Sequence, residues 1–355
     1  MREVARKTGA QEVIVEKCIH ALALVGRLAE AGLDFVFKGG TSLMLHFDPV
    51  RRLSIDVDIA SLEPLDRVQA VLDGICDEQP FLRWEHQDWR DAENPPTKYF
   101  SIFYRSPLQP EVESKIQLDV LVTESPHPVI EEREVKASFV EVERAVRVRV
   151  PSADCLLGDK LTAFAPTTIG ILYEPLSRRT GEPVEPRPIR VAKQLFDVGE
   201  LFTVATNLEM VANSYGIHFE HQRRYRGLDC TMADALEDTL AAAYTLSQIG
   251  LKHGEQNERT KFFKDGADAL NTHLIGGRFT LPHAKTAAAR AALIAAILKT
   301  ERFDRTLQQL QTLPTDPAVL RELRIDGRWQ KLHTLRKTNV EAFYLWHQAH
   351  LIDVT

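Results

Sequence analysis

Two aspartates separated by a single valine, Asp56 and Asp58 in RLSIDVDIA, follow a glycine pair, Gly39-Gly40, in FVFKGGTSL. On an extended segment, residues two apart leave the same face. Two carboxylates held that close repel each other, and a divalent cation between them turns the repulsion into attraction. Mg²⁺ prefers hard oxygen ligands, taking one or two carboxylates together with substrate phosphates. The glycine pair lets the main chain approach a phosphate. A helix opening near Thr41 would aim free amides at it, with the Thr41 and Ser42 hydroxyls as further donors. These are the parts of metal-assisted transfer from a nucleoside triphosphate. A third carboxylate is expected on a neighbouring strand. Asp119 in KIQLDVLV fits, because an acid between Leu118 and Val120 is costly to bury without a cation.

The elements that must hold these residues can be read from the pattern. Residues 11–31 carry apolar positions at helical spacing and stop at Gly32. LDFVF (33–37) reads as a short strand, Thr41 as the cap of a short helix through His46, and RLSIDVDIA as a second strand. A helix over 64–78 opens at Pro64. Strands follow over 81–89, 98–106 and 115–123, and 138–150 adds a further strand or a hairpin. Residues 1–150 are thus expected to form one domain with a mixed sheet, and 151–355 a mostly helical second domain. The helical patterns there cover 152–165, 189–216, 232–250, 283–300 and 338–350. Between the first two lies a proline-rich loop, 166–188, of a length that usually signals function or mobility.

With 355 residues, 44% hydrophobic and 26% charged, the chain has an ordinary globular composition. It shows no secretory signal and no run long enough to span a membrane. Its four scattered cysteines read as reduced thiols, which predicts a cytoplasmic protein. A net charge of −6 argues against whole-surface attraction to nucleic acid but not against a local basic groove. Serine-hydrolase and Walker ATPase motifs are missing. Three basic clusters are candidate RNA contacts: HQRRYRG (221–227) around Tyr225; Arg321, Arg324, Arg328, Lys331, Arg336 and Lys337 around Trp329; and Arg178, Arg179, Arg187 and Arg190. For the first two, a solvated helix face is an equal alternative.

Gly-Gly, Asp-x-Asp and a later strand Asp together resemble the nucleotidyltransferase superfamily with the polymerase-β-like fold. That implies an α+β protein: a mixed sheet with helices, followed by a mostly helical C-terminal part. The finer pattern KGGTSL, then Arg52, Ser54, Asp56 and Asp58 in R-x-S-x-D-x-D, resembles the AbiEii/AbiGii family, which includes MenT-like toxins. Lys160 in LLGDKLTAF and Asp197 in KQLFD match two downstream elements of that family. The resemblance implies that Asp56, Asp58 and Asp119 hold Mg²⁺, with Asp119 either completing the metal site or acting as a base. It implies that Lys38, Gly39, Gly40, Thr41, Ser42, Arg52 and Ser54 bind the nucleotide. Lys160 would neutralise triphosphate charge, and Asp197 would position Lys160 or the acceptor. The implied enzyme is a toxin that moves a nucleotidyl group from an NTP to RNA, the tRNA 3′ end foremost, blocks translation, and has a cognate antitoxin. Phage defence is the implied setting. Competing readings are a kinase-like phosphotransferase, a small-molecule nucleotidyltransferase, and a non-catalytic NTP-binding module.

Overall fold

The computed structural model describes residues 1–93, 95–140, 144–177 and 180–354. The chain divides into two compact units. Residues Met1–Ser152 with Thr272–Arg278 form one, and Ala153–Asn271 with Phe279–Thr355 the other.

The first unit opens with helices α1 (Arg2–Thr8) and α2 (Glu12–Glu30), the second stopping just before Gly32. Next come β1 (Val36–Lys38), the short helix α3 (Gly39–Ser42) running into a 3₁₀ turn (Leu43–His46), β2 (Val57–Ala60) and α4 (Leu65–Cys76). Then follow β3 (Phe81–His86), a 3₁₀ turn (Asp88–Arg90), β4 (Ala92–Glu93), β5 (Pro96–Arg105), β6 (Glu113–Leu121), β7 (Ile130–Glu134) and β8 (Arg147–Pro151). They form one mixed sheet in the order β3-β5-β6-β2-β1-β8-β7, with β4 on β5. β2 runs parallel to β6 and β1 to β8, while the other neighbouring pairs are antiparallel.

Strand alternation gives the sheet two different faces. Phe37, Val57, Ile59, Phe100, Ile102, Ile116, Leu118 and Val120 share one face, and all are buried in a core with Val15, Cys18, Leu22 and Val25 of α2. Lys38, Asp58, Asp119, Tyr99, Gln117 and Ser101 lie on the opposite face. Burial of one face therefore decides which side chains the other face presents.

Several sequence expectations are corrected here. β2 starts at Val57, so Asp56 sits on the segment before it, exposed, rather than on the strand. The short helix begins at Gly39, with Lys38 at its cap position, so Thr41 is internal. The strand β7 was not anticipated: IEERE is charged at four of five positions and lies at the sheet edge. Of 138–150, residues 147–150 enter β8, Ala137 bridges to Val140, and 141–143 lie outside the described residues.

The second unit is helical. It contains α5 (Ala153–Ala163), α6 (Pro188–Leu201), α7 (Leu208–Arg226), α8 (Met232–Ser247), α9 (Glu258–Leu270), α10 (Leu281–Thr300), α11 (Leu307–Gln311), α12 (Pro317–Glu322), α13 (Leu335–Thr338) and α14 (Val340–Val354). The pattern expected to be helical over 189–216 breaks after Leu201 and restarts at Leu208, where Asn207 accepts from the Met210 amide as an N-cap. α9 was missed. α10 buries a run of alanines, which lets α6, α8 and α14 pack closely on it. The proline-rich loop is anchored at its start: the buried Asp238 carboxylate accepts from the Thr167 and Thr168 amides at 2.7 and 2.9 Å. No helix among the described residues is long and apolar enough to cross a membrane.

Candidate active site

β1, β2, β6 and β5 lie side by side, and their register aligns four polar residues in one row. Lys38 is opposite Asp58, Asp58 opposite Asp119, and Asp119 opposite Tyr99. Cross-strand partners share a face and sit about 5 Å apart at their Cβ atoms, so the row is continuous. Gly39 follows directly, with φ +76°. A Cβ there would lie 2.8 Å from Asp58 Cγ and closer still to Oδ2. The glycine thus accommodates a left-handed turn and leaves room for the carboxylate. At Gly40 a Cβ would come within 2.8 Å of Arg52 Nη2 and 3.1 Å of Ser54 Oγ. The two glycines therefore open space for an acid on one side and for a cation and a hydroxyl on the other.

The electrostatics centre on Asp119. Its Oδ1 is buried and has no hydrogen-bond partner among the described residues. Burial pushes its carboxyl up to about 7, and Asp58 and Asp56 add to the rise, while Arg90 and Lys38 oppose it. A carboxyl raised by burial and by like charges, with an unsatisfied oxygen, is a site that lacks positive charge. The donor set is all hard oxygen, which suits Mg²⁺ better than a softer metal.

Other expected residues have different surroundings. Arg52 is 6% exposed and donates to the Leu53 carbonyl at 3.3 Å. A distant segment holds it: Leu53 N–H donates to the His273 carbonyl (2.7 Å), and Arg52 bridges to Leu274. Thr41 and Ser42 are fully buried. Their hydroxyls donate to the Asp56 and Gly39 carbonyls, so they fix the turn and do not face outward as phosphate donors. Ser54 is half-buried beside Gly40. Lys160 and Asp197 belong to the helical unit, where they form a buried pair at 3.5 Å with side chains 8% and 3% exposed.

Two residues went unnoticed in the sequence. Tyr99 stands directly across from Asp119, and the Arg90 guanidinium lies 4.4 Å from the centre of its ring. Strand register places Tyr99 and the turn Asp88–Arg90 places Arg90, and no spacing motif marks either.

The basic clusters are largely committed to the protein. Trp329 is 3% exposed and packs edge-on against Trp346 at 5.0 Å, so it is core and offers no ring for a base. Arg328 pairs with Glu237 and Asp353, and Lys331 with Glu255. In the other cluster Arg223 pairs with Glu220, and Arg226 donates to the Gly170 carbonyl. Arg178 and Arg179 lie outside the described residues.

Comparison with known proteins bears on the family and the fold. A family model described as "Nucleotidyl transferase AbiEii toxin, Type IV TA system" matches residues 23–319. No curated protein sequence matches the chain. Among solved structures, MenT4, a nucleotidyltransferase toxin from Mycobacterium tuberculosis, is similar at TM-score 0.53 and 14% identity, over 97% of this chain and 98% of that one. At that identity the likeness speaks for the fold. A candidate nucleotidyltransferase from H. pylori aligns at TM-score 0.42 and 16% identity, over 85% of this chain and all of that one, too weakly to argue from. With most of its length matched by the family model, the chain belongs to the AbiEii family of nucleotidyltransferase toxins of type IV toxin–antitoxin systems, enzymes that act on a nucleotide and have an antitoxin as counterpart.

Proposed function

We propose that this enzyme transfers a nucleotidyl group from an NTP to an RNA hydroxyl, at the tRNA 3′ end, in a Mg²⁺-dependent reaction that stops translation. The observation that carries the reading is the row Lys38–Asp58–Asp119–Tyr99 with the Gly39 turn closed against Asp58. Asp56, Asp58 and Asp119 are the residues that would hold Mg²⁺, which when bound supplies charge to the triphosphate and to the attacking oxygen. Lys38, the main chain at Gly39 and Gly40, and Ser54 face the nucleotide, Arg52 is buried behind Gly40, and Thr41 and Ser42 keep that turn in place. The acceptor oxygen bonds to the α-phosphorus, the bond to the β-phosphate oxygen breaks, and pyrophosphate leaves. Asp119 either completes that metal set or takes the hydroxyl proton as a base. Lys160, held by Asp197, is assigned to triphosphate charge. The tRNA acceptor and the translation block rest on the family resemblance.

The test is an incubation with Mg²⁺, total tRNA and each NTP labelled at the α- or the γ-phosphate, beside Asp58→Ala. α-Label on tRNA that disappears in the variant is the expected result. γ-Label on RNA or protein would replace this reading with phosphoryl transfer. NTP binding with no transfer to any acceptor would leave a binding module.

A further inference from the structure

In-line displacement places the attacking oxygen and the leaving group on opposite sides of the phosphorus. The strand order converts that rule into positions. Asp58 on β2 and Asp119 on β6 stand at the centre. β1 and the Gly39 turn, assigned above to the nucleotide, lie on the β2 side, and β5 and β3 lie on the β6 side. With the nucleotide assigned to the β2 side, the acceptor is assigned to the flank of β5 and β3. On that flank Tyr99 adjoins Asp119, and Arg90 lies over its ring and donates to Gln87 Oε1 at 2.7 Å. Gln87 N–H donates to the Tyr99 carbonyl at 2.7 Å, which fixes the turn Asp88–Arg90 beside Tyr99. That turn carries Trp89, which is 75% exposed, whereas Trp84 is half-buried and Trp329 and Trp346 are in the core. A single exposed aromatic is ordinary. This one directly precedes Arg90, whose guanidinium lies over the Tyr99 ring beside the acidic centre.

We propose that Trp89, Arg90 and Tyr99 form a stacking subsite for the single-stranded end of the acceptor RNA, with Trp89 taking a base and Arg90 a phosphate of the terminal nucleotides. The proposal rests on the nucleotidyl-transfer reading for its choice of acceptor. Aromatic rings bind bases without regard to sequence, and the guanidinium adds charge to the contact. The donor NTP is excluded from this subsite because its triphosphate occupies the opposite flank.

The full-length protein, Trp89→Ala and Trp89→Phe are titrated, without Mg²⁺, with a single-stranded RNA hexamer and separately with NTP, followed by tryptophan fluorescence and by anisotropy of labelled RNA. The RNA should quench wild-type fluorescence. Its Kd should rise roughly 5- to 150-fold in Trp89→Ala and stay near wild type in Trp89→Phe, with NTP binding alike in all three. Circular dichroism confirms folding. RNA binding unchanged in Trp89→Ala overturns the subsite. So does weakening confined to NTP, which would move Trp89 to the donor side. The transferase assay separates the two ideas. Label on tRNA with equal KM in wild type and Trp89→Ala refutes the subsite and keeps the function. Trp89-dependent RNA binding with no transfer to RNA keeps the surface and refutes the function.

Discussion

Gly39→Ala is the substitution on which the geometry makes its sharpest demand. Two costs combine at this position and can be separated. The first is conformational. At φ +76° a residue with a Cβ is strained by about 1–2 kcal/mol. Restriction of the unfolded chain returns about 0.4–1 kcal/mol of that, so the net is about 1 kcal/mol. Gly32 measures this cost alone, since its φ is +70° and nothing lies within 4 Å of its Cβ position. The second cost is collision. The new methyl would meet Asp58 at Cγ (2.8 Å) and Cβ (2.9 Å) as well as at the carboxylate oxygen. Because Cβ is anchored to the strand, rotating the carboxylate cannot relieve the contact and β2 must shift. Overpacking of this kind costs about 1–3 kcal/mol more. Parallel urea melts should show Gly39→Ala less stable than Gly32→Ala by that margin. A shift of about 1 Å in a catalytic group costs on the order of 100-fold in rate. Transfer from α-labelled NTP should therefore fall by about that factor in Gly39→Ala and hold in Gly32→Ala. Gly40→Ala, whose contacts are the side-chain ends of Arg52 and Ser54, should fall between them. Equal stability and equal rates for the Gly39 and Gly32 variants would refute the claim that Gly39 exists to make room for Asp58.

Because folded Asp119 titrates near 7 while the unfolded carboxyl titrates near 4, the folded state keeps a proton that the unfolded chain has lost between those values. Without metal, stability should fall as pH rises from about 4 through 7 and then level off; Asp119→Asn should flatten that slope, and an unchanged slope would count against the assignment. Lys160→Met leaves Asp197 buried without this partner and should destabilise by about 3 kcal/mol, whereas Lys160→Met with Asp197→Leu should regain most of the stability in thermal melts but not activity. A double variant with wild-type transfer would show the pair to be purely structural. Trp329→Ala, lost from the core, should cost about 3–5 kcal/mol in chemical denaturation and leave RNA affinity unchanged; a loss of RNA affinity without destabilisation would restore its role as a stacking residue.

What could be read from the sequence, and what could not, follows one physical line. Asp119 was legible because an acid between Leu118 and Val120 breaks an apolar pattern. The glycine pair was legible only together with the aspartates that follow it, since glycines end apolar runs in ordinary turns as well. β7 was not, since an edge strand of mostly charged residues buries little and so carries no alternation. The segment 272–278 was not, because its bond to Leu53 spans more than two hundred residues and leaves no local mark. Trp329 misled because basic residues around an aromatic look the same in sequence whether the ring is buried or bare. Tyr99 depended wholly on register, which a sequence does not state but a core enforces, and Arg90 on the turn that packs beside it. If β6 slipped by one residue against β2, Leu118 or Val120 would stand opposite Asp58 on the open face. Asp119 would then turn toward Phe37, Ile59 and Phe100. Burying an uncompensated carboxylate and exposing two core side chains are both unfavourable, so the apolar face locks the register and aligns the acids. The chemistry of the open face is therefore set by the packing of the closed one. Substitutions that loosen the core at Ile59 or Leu118 should lower activity before they unfold the protein.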